Sequence, residues 1–164
     1  WLSTLLVKPR LLPRLDFSSG ILAGCRTMVV VPTMITNGEG VDRLLETLEI
    51  HHLANRDPNL HFALLTDFRD ALTEAMPEDA GLLARIRQGV ESLNRKYPSG
   101  DTTYFYLFHR PRRWNPGEGL WMGYERKRGK LMEFNSLLRG GPRRSFSENA
   151  RPFCKLGKSS SVLP

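Results

Sequence analysis

The chain has 164 residues, a formal net charge of +7 and two cysteines. This length allows about one domain with a buried core. Two widely separated cysteines exclude a disulfide framework, and no apolar run reaches the ~18 residues that a membrane-spanning helix needs. The charge is unevenly distributed: from Arg110 onward there are 13 Lys and Arg against 4 Asp and Glu, and before it 11 against 13. The second part is therefore expected to attract anions.

The opening segment, WLSTLLVKPRLLPRLDF, combines leucines with bases and a tryptophan. This composition suits the edge of a membrane, and it equally suits leucines that pack on the surface of a domain. Both interpretations stay open at this point. Because the first residue is Trp1 rather than Met, we expect the chain to be a piece of a longer protein.

Three buried strands are predicted in the next part of the chain. An apolar, β-branched run predicts the first over residues 27–31, stopping at Pro32. LHFALLTDF predicts the second over residues 60–66, ending in Asp67, and TTYFYLFHR predicts the third. Continuous apolar runs of this kind are typical of parallel sheets that are covered on both faces.

Two helices are predicted between these strands, because apolar residues recur there at helical spacing. They are Val41, Leu44, Leu45, Leu48 and Leu53 in the first helix, and Leu82, Leu83, Ile86, Val90, Leu93 and Tyr97 in the second. Each crossover is long enough for a right-handed return. The order strand, helix, strand, helix, strand therefore predicts an α/β fold with a parallel sheet and flanking helices.

A third helix is predicted over residues 122–138, ending at Gly140-Gly141. Its bases are expected to face outward and its apolar residues inward, namely Leu131, Phe134, Leu137 and Leu138. Residues 141–164 are rich in Ser, Pro and bases without a period, which predicts a loop or a disordered tail.

Familiar phosphate loops and metal motifs do not fit the sequence. The segment from Gly123 to Lys130 is one residue too long for a P-loop and lacks its Ser or Thr. Gly117, Gly119 and Gly123 exceed the dinucleotide fingerprint by one residue. None of the four histidines has zinc-ligand spacing to another.

Polar residues at the predicted strand ends are more informative, because ligands of open α/β sheets bind at the carboxyl ends of the strands. Pro32-Thr33 follows the first strand, Asp67 the second and His109-Arg110 the third. Asp67 either accepts hydrogen bonds from a base or a ribose, or it caps the following loop. The basic cluster after Gly123 likewise forms either a solvated helix face or a phosphate site.

Three segments resemble a known family: VVVPT, then LANRDPNLHFALLTDFRDA with MPED, then HRPRRWNPGEGLWMGYERKRGKLMEFNSLLRG. They resemble the glycosyltransferase domain of bacterial cyclic β-1,2-glucan synthases. The resemblance covers residues 11–140, and residues 110–140 are its most specific part. More distantly, the chain is similar to processive family-two glycosyltransferases such as cellulose synthase, in which a V-P-T strand end, an acid after the second strand and a G-K-x-x-x-x-N helix surround UDP-glucose.

Carried over to this sequence, the resemblance implies a donor site for UDP-glucose. Pro32 and Thr33 would line the uracil and ribose pocket, and Asp67 would bind the uridine. Lys130 and Asn135 would face the donor nucleotide. Arg126 and Arg128 are weaker candidates for the pyrophosphate. The implied fold is part of the nucleotide-sugar glycosyltransferase (A-type) fold, truncated before its Asp-x-Asp strand.

The resemblance also implies catalytic parts that this sequence lacks. The complete enzyme holds Mg²⁺ or Mn²⁺ with an Asp-x-Asp motif and uses a later carboxylate as general base, and no Asp-x-Asp occurs here. We therefore expect a donor-binding half over residues 26–140 that is inactive alone. A juxtamembrane lead-in over residues 1–25 would precede it, and an irregular or disordered tail over residues 141–164 would follow.

The implied setting is the cytoplasmic face of a bacterial inner membrane, reached through flanking segments of the full protein. The implied partners are UDP-glucose and a β-1,2-glucan acceptor, and no nucleic acid is expected. The alternative is a basic nucleic-acid or anion-binding module, which the charge of the second part alone would also fit.

Overall fold

Three parallel strands form the central sheet. The computed structural model describes residues 18–100, 103–141 and 146. Its sheet has the order β1 (Thr27–Ile35), β2 (Leu60–Phe68) and β3 (Phe105–Arg110). The two strand pairs are both parallel. The predicted α/β class and parallel sheet are thus confirmed, while the glycosyltransferase type of the fold stays a prediction.

Helices cover both faces of this sheet. α1 (Gly38–Ala54) and α2 (Asp79–Lys96) connect the strands and share one apolar core with one face of the sheet. That core is formed by Ile35, Val41, Leu48, Phe62, Leu64, Phe68, Ile86, Val90, Leu93, Phe105 and Leu107. α3 (Arg126–Leu138) packs on the other face through Phe134, against Leu65 and Phe108 among others. Successive strand residues therefore alternate between two cores.

Strand β1 continues past the predicted stop. Pro32 lies inside it, opposite Leu65 of β2, and the strand ends only at Ile35. In the described sheet β1 is bonded to β2 alone, so a residue without an N–H is tolerated on its open side. The predicted inward position of Leu53 is also wrong, because Leu53 is 41% exposed and its neighbour His52 is buried instead.

The segment before α3 is a hairpin rather than the start of a helix. β4 (Arg113–Asn115) pairs antiparallel with β5 (Leu120–Met122), so the prediction of a helix from Met122 is wrong. Glu125 and Arg126 have φ values of 50° and 41°. Such left-handed backbone interrupts the helical path, and α3 begins at Arg126. Leu138, predicted inward, is 39% exposed.

The two predicted flanking segments lie mostly outside the described residues. Of the lead-in, residues 18–25 are described and include a short 3₁₀ turn over Ala23–Cys25. Of the tail, Gly141 and Phe146 are described, and the Phe146 ring lies 5.9 Å from the Phe108 ring. Among the residues that the structure covers, no helix has the length and apolar character required to cross a bilayer.

The close packing of α1 on α2 gives a testable prediction. A Cβ at Gly89 of α2 would overlap the Leu45 side chain of α1, whereas a Cβ at Gly81 of the same helix meets nothing within 4 Å. We expect Gly89→Ala to lower the free energy of unfolding by about 1–2 kcal/mol through overpacking. Gly81→Ala, the matched control, should raise it by about 0.5–1 kcal/mol through helix propensity. Urea denaturation measures both, and a stabilised Gly89→Ala variant would contradict the packing.

Candidate functional site

Asp67 lies at the carboxyl end of the central strand β2, on the face that α3 covers. Its register partners are Arg110 on β3 and Met34 on β1. Only 2% of the residue is exposed. A buried carboxylate is stable only when it is paired and hydrogen-bonded, so the neighbours of Asp67 decide what this end of the sheet can do.

Lys130 of α3 provides the first partner. Its Nζ lies 2.9 Å from Asp67 Oδ1 and donates a 2.6 Å hydrogen bond to the carbonyl oxygen of Thr33. The residue is 3% exposed, so the prediction that all bases of this helix face outward is wrong for Lys130. One ammonium group thus connects the ends of β1 and β2 to α3.

Arg110 provides the second partner, from β3. Its Nη2 donates to Asp67 Oδ2 at 3.2 Å and to the carbonyl oxygen of Arg126 at 3.2 Å. Its Nη1 reaches Glu133 Oε2 at 3.4 Å. We call Asp67, Arg110, Lys130 and Glu133 the charge cluster; its two acids and two bases balance each other.

Two glycines allow α3 to approach the charge cluster. A Cβ at Gly123 would overlap Asp67 Oδ2 and lie 2.9 Å from Arg110 Nη2. A Cβ at Gly129 would overlap the carbonyl oxygen of Tyr124 and lie 3.0 Å from Arg110 Nη1. Gly123 and Gly129 are therefore required by close contact around Arg110.

The other bases at the start of α3 lie on the surface. The Arg126 side chain is 59% exposed and pairs with Asp70 at 2.7 Å, and the Arg128 side chain is 78% exposed and lies 3.8 Å from Glu125. No acid lies in the first turn of this helix. Bases there oppose the helix dipole, and an anion at this end would be stabilised both by the dipole and by the bases.

The remaining predicted donor residues are separated on the surface of the fold. Pro32 and Thr33 are half-buried on β1, and Thr33 contacts Lys130 through its carbonyl oxygen. Asn135 is exposed and lines an open concavity with Ser136 and Arg139. Five residues from Lys130 correspond to ~140° around a helix axis, so Asn135 faces another direction. Its contact with a nucleotide stays a prediction, as do the roles of the other six residues.

A second buried arginine fixes the loop after β2. Arg112 donates to the carbonyl oxygens of Arg69 at 2.6 Å and Glu74 at 3.2 Å, and it pairs with the Asp79 carboxylate through both Nη atoms. Burial raises the pKa of Asp79, but the hydrogen bonds from Arg112 and from the Met76 N–H outweigh it, so the pKa is lowered overall. This pair was not visible in the sequence, since no local pattern connects residues 33 positions apart.

His109 lies next to the charge cluster but on the other face of β3. It is 3% exposed, its Nδ1 lies 3.0 Å from Thr66 Oγ1, and its ring lies 4.4 Å from that of Phe68. Burial lowers the pKa of His109 to about 4, although Asp67 and Asp79 act in the opposite direction. The ring is therefore neutral near pH 7.

The described residues do not form a divalent-metal site. Within the ranges 18–100 and 103–141, no group of three or more His, Cys, Asp or Glu side chains converges. The acids of the charge cluster are both held by arginine or lysine. No step is therefore assigned to Mg²⁺ or Mn²⁺ on these residues.

The fold and the site define an α/β domain that is compatible with part of a Rossmann-like fold and carries a polar cluster at the carboxyl edge of its sheet. Over 147 residues, 90% of its length, the chain is 44% identical to a protein of Rhizobium meliloti (strain 1021) named cyclic beta-(1,2)-glucan synthase NdvB. The chain spans 5% of the length of that curated relative. No family model matches the chain. The resemblance seen in the sequence is thus confirmed, and the chain is a glucan synthase-related domain.

The charge cluster gives a prediction about stability. Lys130→Met leaves the buried Asp67 carboxylate with Arg110 as its one remaining cationic partner, and removal of one partner of a buried pair costs about 3–5 kcal/mol. Asp67→Asn removes the matching charge. The double variant should therefore lose about 1–3 kcal/mol less free energy of unfolding than the two single variants lose together. A thermodynamic cycle from urea denaturation measures this coupling. Strict additivity would contradict the contact between the two side chains.

The buried ring of His109 predicts a loss of stability in acid. Its folded pKa of about 4 lies below the usual ~6.5, so only the unfolded chain binds the proton between these values. The contribution is fully present above pH ~6.5 and falls by about 3 kcal/mol toward pH 4. His109→Asn should flatten this part of the pH profile of unfolding, with His51→Asn, on the exposed side of α1, as control. A ring NMR titration with a midpoint near pH 6.5 would contradict it.

Proposed function

We propose that this chain is the donor-binding part of a cyclic β-1,2-glucan synthase and binds UDP-glucose at the carboxyl edge of its sheet. The observation that carries the proposal is the meeting of Asp67 and Lys130, 63 residues apart in sequence and 2.9 Å apart in space. These are the strand-end acid and the helix lysine to which the resemblance gives a shared donor site. The relative named a cyclic beta-(1,2)-glucan synthase supports the same assignment.

The charge cluster would fix the nucleoside end of the donor. Lys130 and Arg110 each hold one oxygen of Asp67, so the carboxylate is pre-oriented and needs no reorganisation when a uracil or ribose donor approaches. A carboxylate oxygen has two lone pairs, and one hydrogen bond to each oxygen leaves acceptor capacity. Pro32 and Thr33, half-buried at the end of β1, would form the adjoining wall.

The exposed bases would hold the pyrophosphate. Arg126 and Arg128 lie in the first turn of α3 without an acid in that turn, and the strained φ values of Glu125 and Arg126 place this helix end beside Gly123. Such strained backbone costs about 1–3 kcal/mol per residue and is often found at ligand sites. A diphosphate would neutralise these bases through charge-assisted hydrogen bonds.

On this proposal the chain binds the sugar donor and does not itself transfer glucose. In the full protein, other segments would supply the Asp-x-Asp metal site, the general base and the attachment to the cytoplasmic face of the inner membrane. Measurable glucosyl transfer by this chain alone would contradict that division.

NMR titration of the chain with UDP-glucose, UMP and a short RNA of matched charge, at two salt concentrations, tests the proposal. UDP-glucose should give saturable shifts at the carboxyl edge and the start of α3. Arg128→Ala should weaken UDP-glucose binding by about ten-fold, as expected for a charged hydrogen bond, and Asp67→Asn should weaken binding of both UDP-glucose and UMP. Lys127→Ala, an equal charge change in the same turn, is the matched control.

Two results would overturn the donor site. One is the absence of saturable shifts with UDP-glucose. The other is binding of RNA alone, with a steep salt dependence and equal losses in Arg128→Ala and Lys127→Ala. That outcome would assign the basic surface to nonspecific electrostatic binding of nucleic acid.

A further inference from the structure

The hairpin before α3 presents two tryptophans side by side. Trp114 of β4 and Trp121 of β5 are register partners, so both side chains lie on the same face of the hairpin. Their ring centroids are 6.0 Å apart at an interplanar angle of 58°. Trp114 is 51% exposed. Trp121 is half-buried beneath it. An exposed large ring supported by a second ring is a feature of binding surfaces, and the donor site proposed above does not use it.

Buried contacts hold this hairpin rigid. Arg112, directly before β4, is fixed by Asp79 and by two carbonyl oxygens. The backbone of Trp121 exchanges two hydrogen bonds of 2.9 Å with Ala71. A ligand that stacks on a surface fixed in advance loses little conformational entropy to the protein on binding.

The hairpin is also connected to the charge cluster. Arg113 of β4 lies 3.7 Å from Glu133 Oε1, and the other oxygen of Glu133 contacts Arg110. Arg110 in turn contacts Asp67. Three successive ion pairs therefore connect Arg113, the neighbour of Trp114, to the carboxylate proposed to bind the donor nucleoside.

We propose that Trp114 and Trp121 form a stacking surface for a β-linked glucan chain beside the donor site. This inference rests on the proposed function. A pyranose ring has apolar C–H faces that lie flat on an indole, while its hydroxyl groups stay at the rim in water. The same hairpin carries one base, Arg113, and one acid, Glu118, and this absence of net charge suits a neutral oligosaccharide better than a second anionic nucleotide.

Tryptophan fluorescence tests the proposal. The chain has three tryptophans, so in a Trp1→Phe background only the hairpin pair emits. Titration with neutral β-1,2-linked glucose oligomers should give a saturable blue shift. Trp114→Ala should weaken that binding by about ten-fold, as expected when a stacking ring is lost, and Trp114→Phe should retain most of it. Substitution of Trp114 leaves Trp121 as the one remaining tryptophan, so isothermal titration calorimetry measures the affinities of these variants.

Matched controls separate this surface from the donor site. Met132→Ala changes a side chain of similar exposure, 56%, on α3 and should leave oligomer binding unchanged. Trp114→Ala should leave UDP-glucose binding unchanged. Asp67→Asn should lower UDP-glucose binding and leave oligomer binding unchanged. Oligomer binding by the unsubstituted chain without any saturable binding of UDP-glucose would refute the donor site and keep the stacking surface.

Three outcomes would overturn the inference. They are the absence of a saturable response to the β-1,2-linked oligomers, equal binding of α-1,4-linked oligomers, and equal losses of both ligands in Trp114→Ala. Thermal unfolding of each variant shows that the fold is retained, and Trp114→Phe distinguishes loss of the ring from a disturbed hairpin.

Discussion

The buried carboxylate of Asp67 is the constraint on which the carboxyl edge of this domain depends. A carboxylate removed from water requires cationic partners with good geometry, and it receives them from two directions, Lys130 on the helix and Arg110 on the neighbouring strand. Both cations are themselves buried, so each requires Asp67 in return. The position and orientation of α3 on the sheet are therefore fixed by charge pairing as well as by its contact through Phe134.

Arg112 fixes the loops at this edge by hydrogen bonds, as Lys130 fixes α3. One guanidinium group with several fixed donors satisfies Asp79 and two backbone carbonyls of the segment after β2, a role that suits arginine better than lysine. Arg112 thereby holds together the start of α2, the loop after β2 and the hairpin of β4 and β5. Order at the carboxyl edge thus comes from three buried bases, Arg110, Arg112 and Lys130, and loops at such an edge are where ligand sites are usually found.

The sequence was sufficient for the elements whose signal is local. The apolar periods of α1 and α2 and the continuous runs of the strands set the α/β order, because burial on a face repeats at a fixed spacing. The site depended on long-range pairing, which has no such period. Lys130 looks like its exposed neighbours Arg126 and Arg128 in composition, and only the approach of Asp67 makes it a buried residue. Arg110, which joins the strands to α3, was visible only as a polar strand end.

The Lys and Arg residues from Arg110 onward therefore have two different physical roles. Arg110, Arg112 and Lys130 are each at most 3% exposed and are balanced by acids inside the domain. They contribute to the fold and add little to the field outside it, since each lies beside an opposite charge. Among the described residues, Arg126, Lys127 and Arg128 reach solvent at the start of α3, where a helix dipole of the same sign adds to their charge. This positive helix end is the feature on which the proposed diphosphate site depends, because an anion there is stabilised by the dipole and by the exposed bases together.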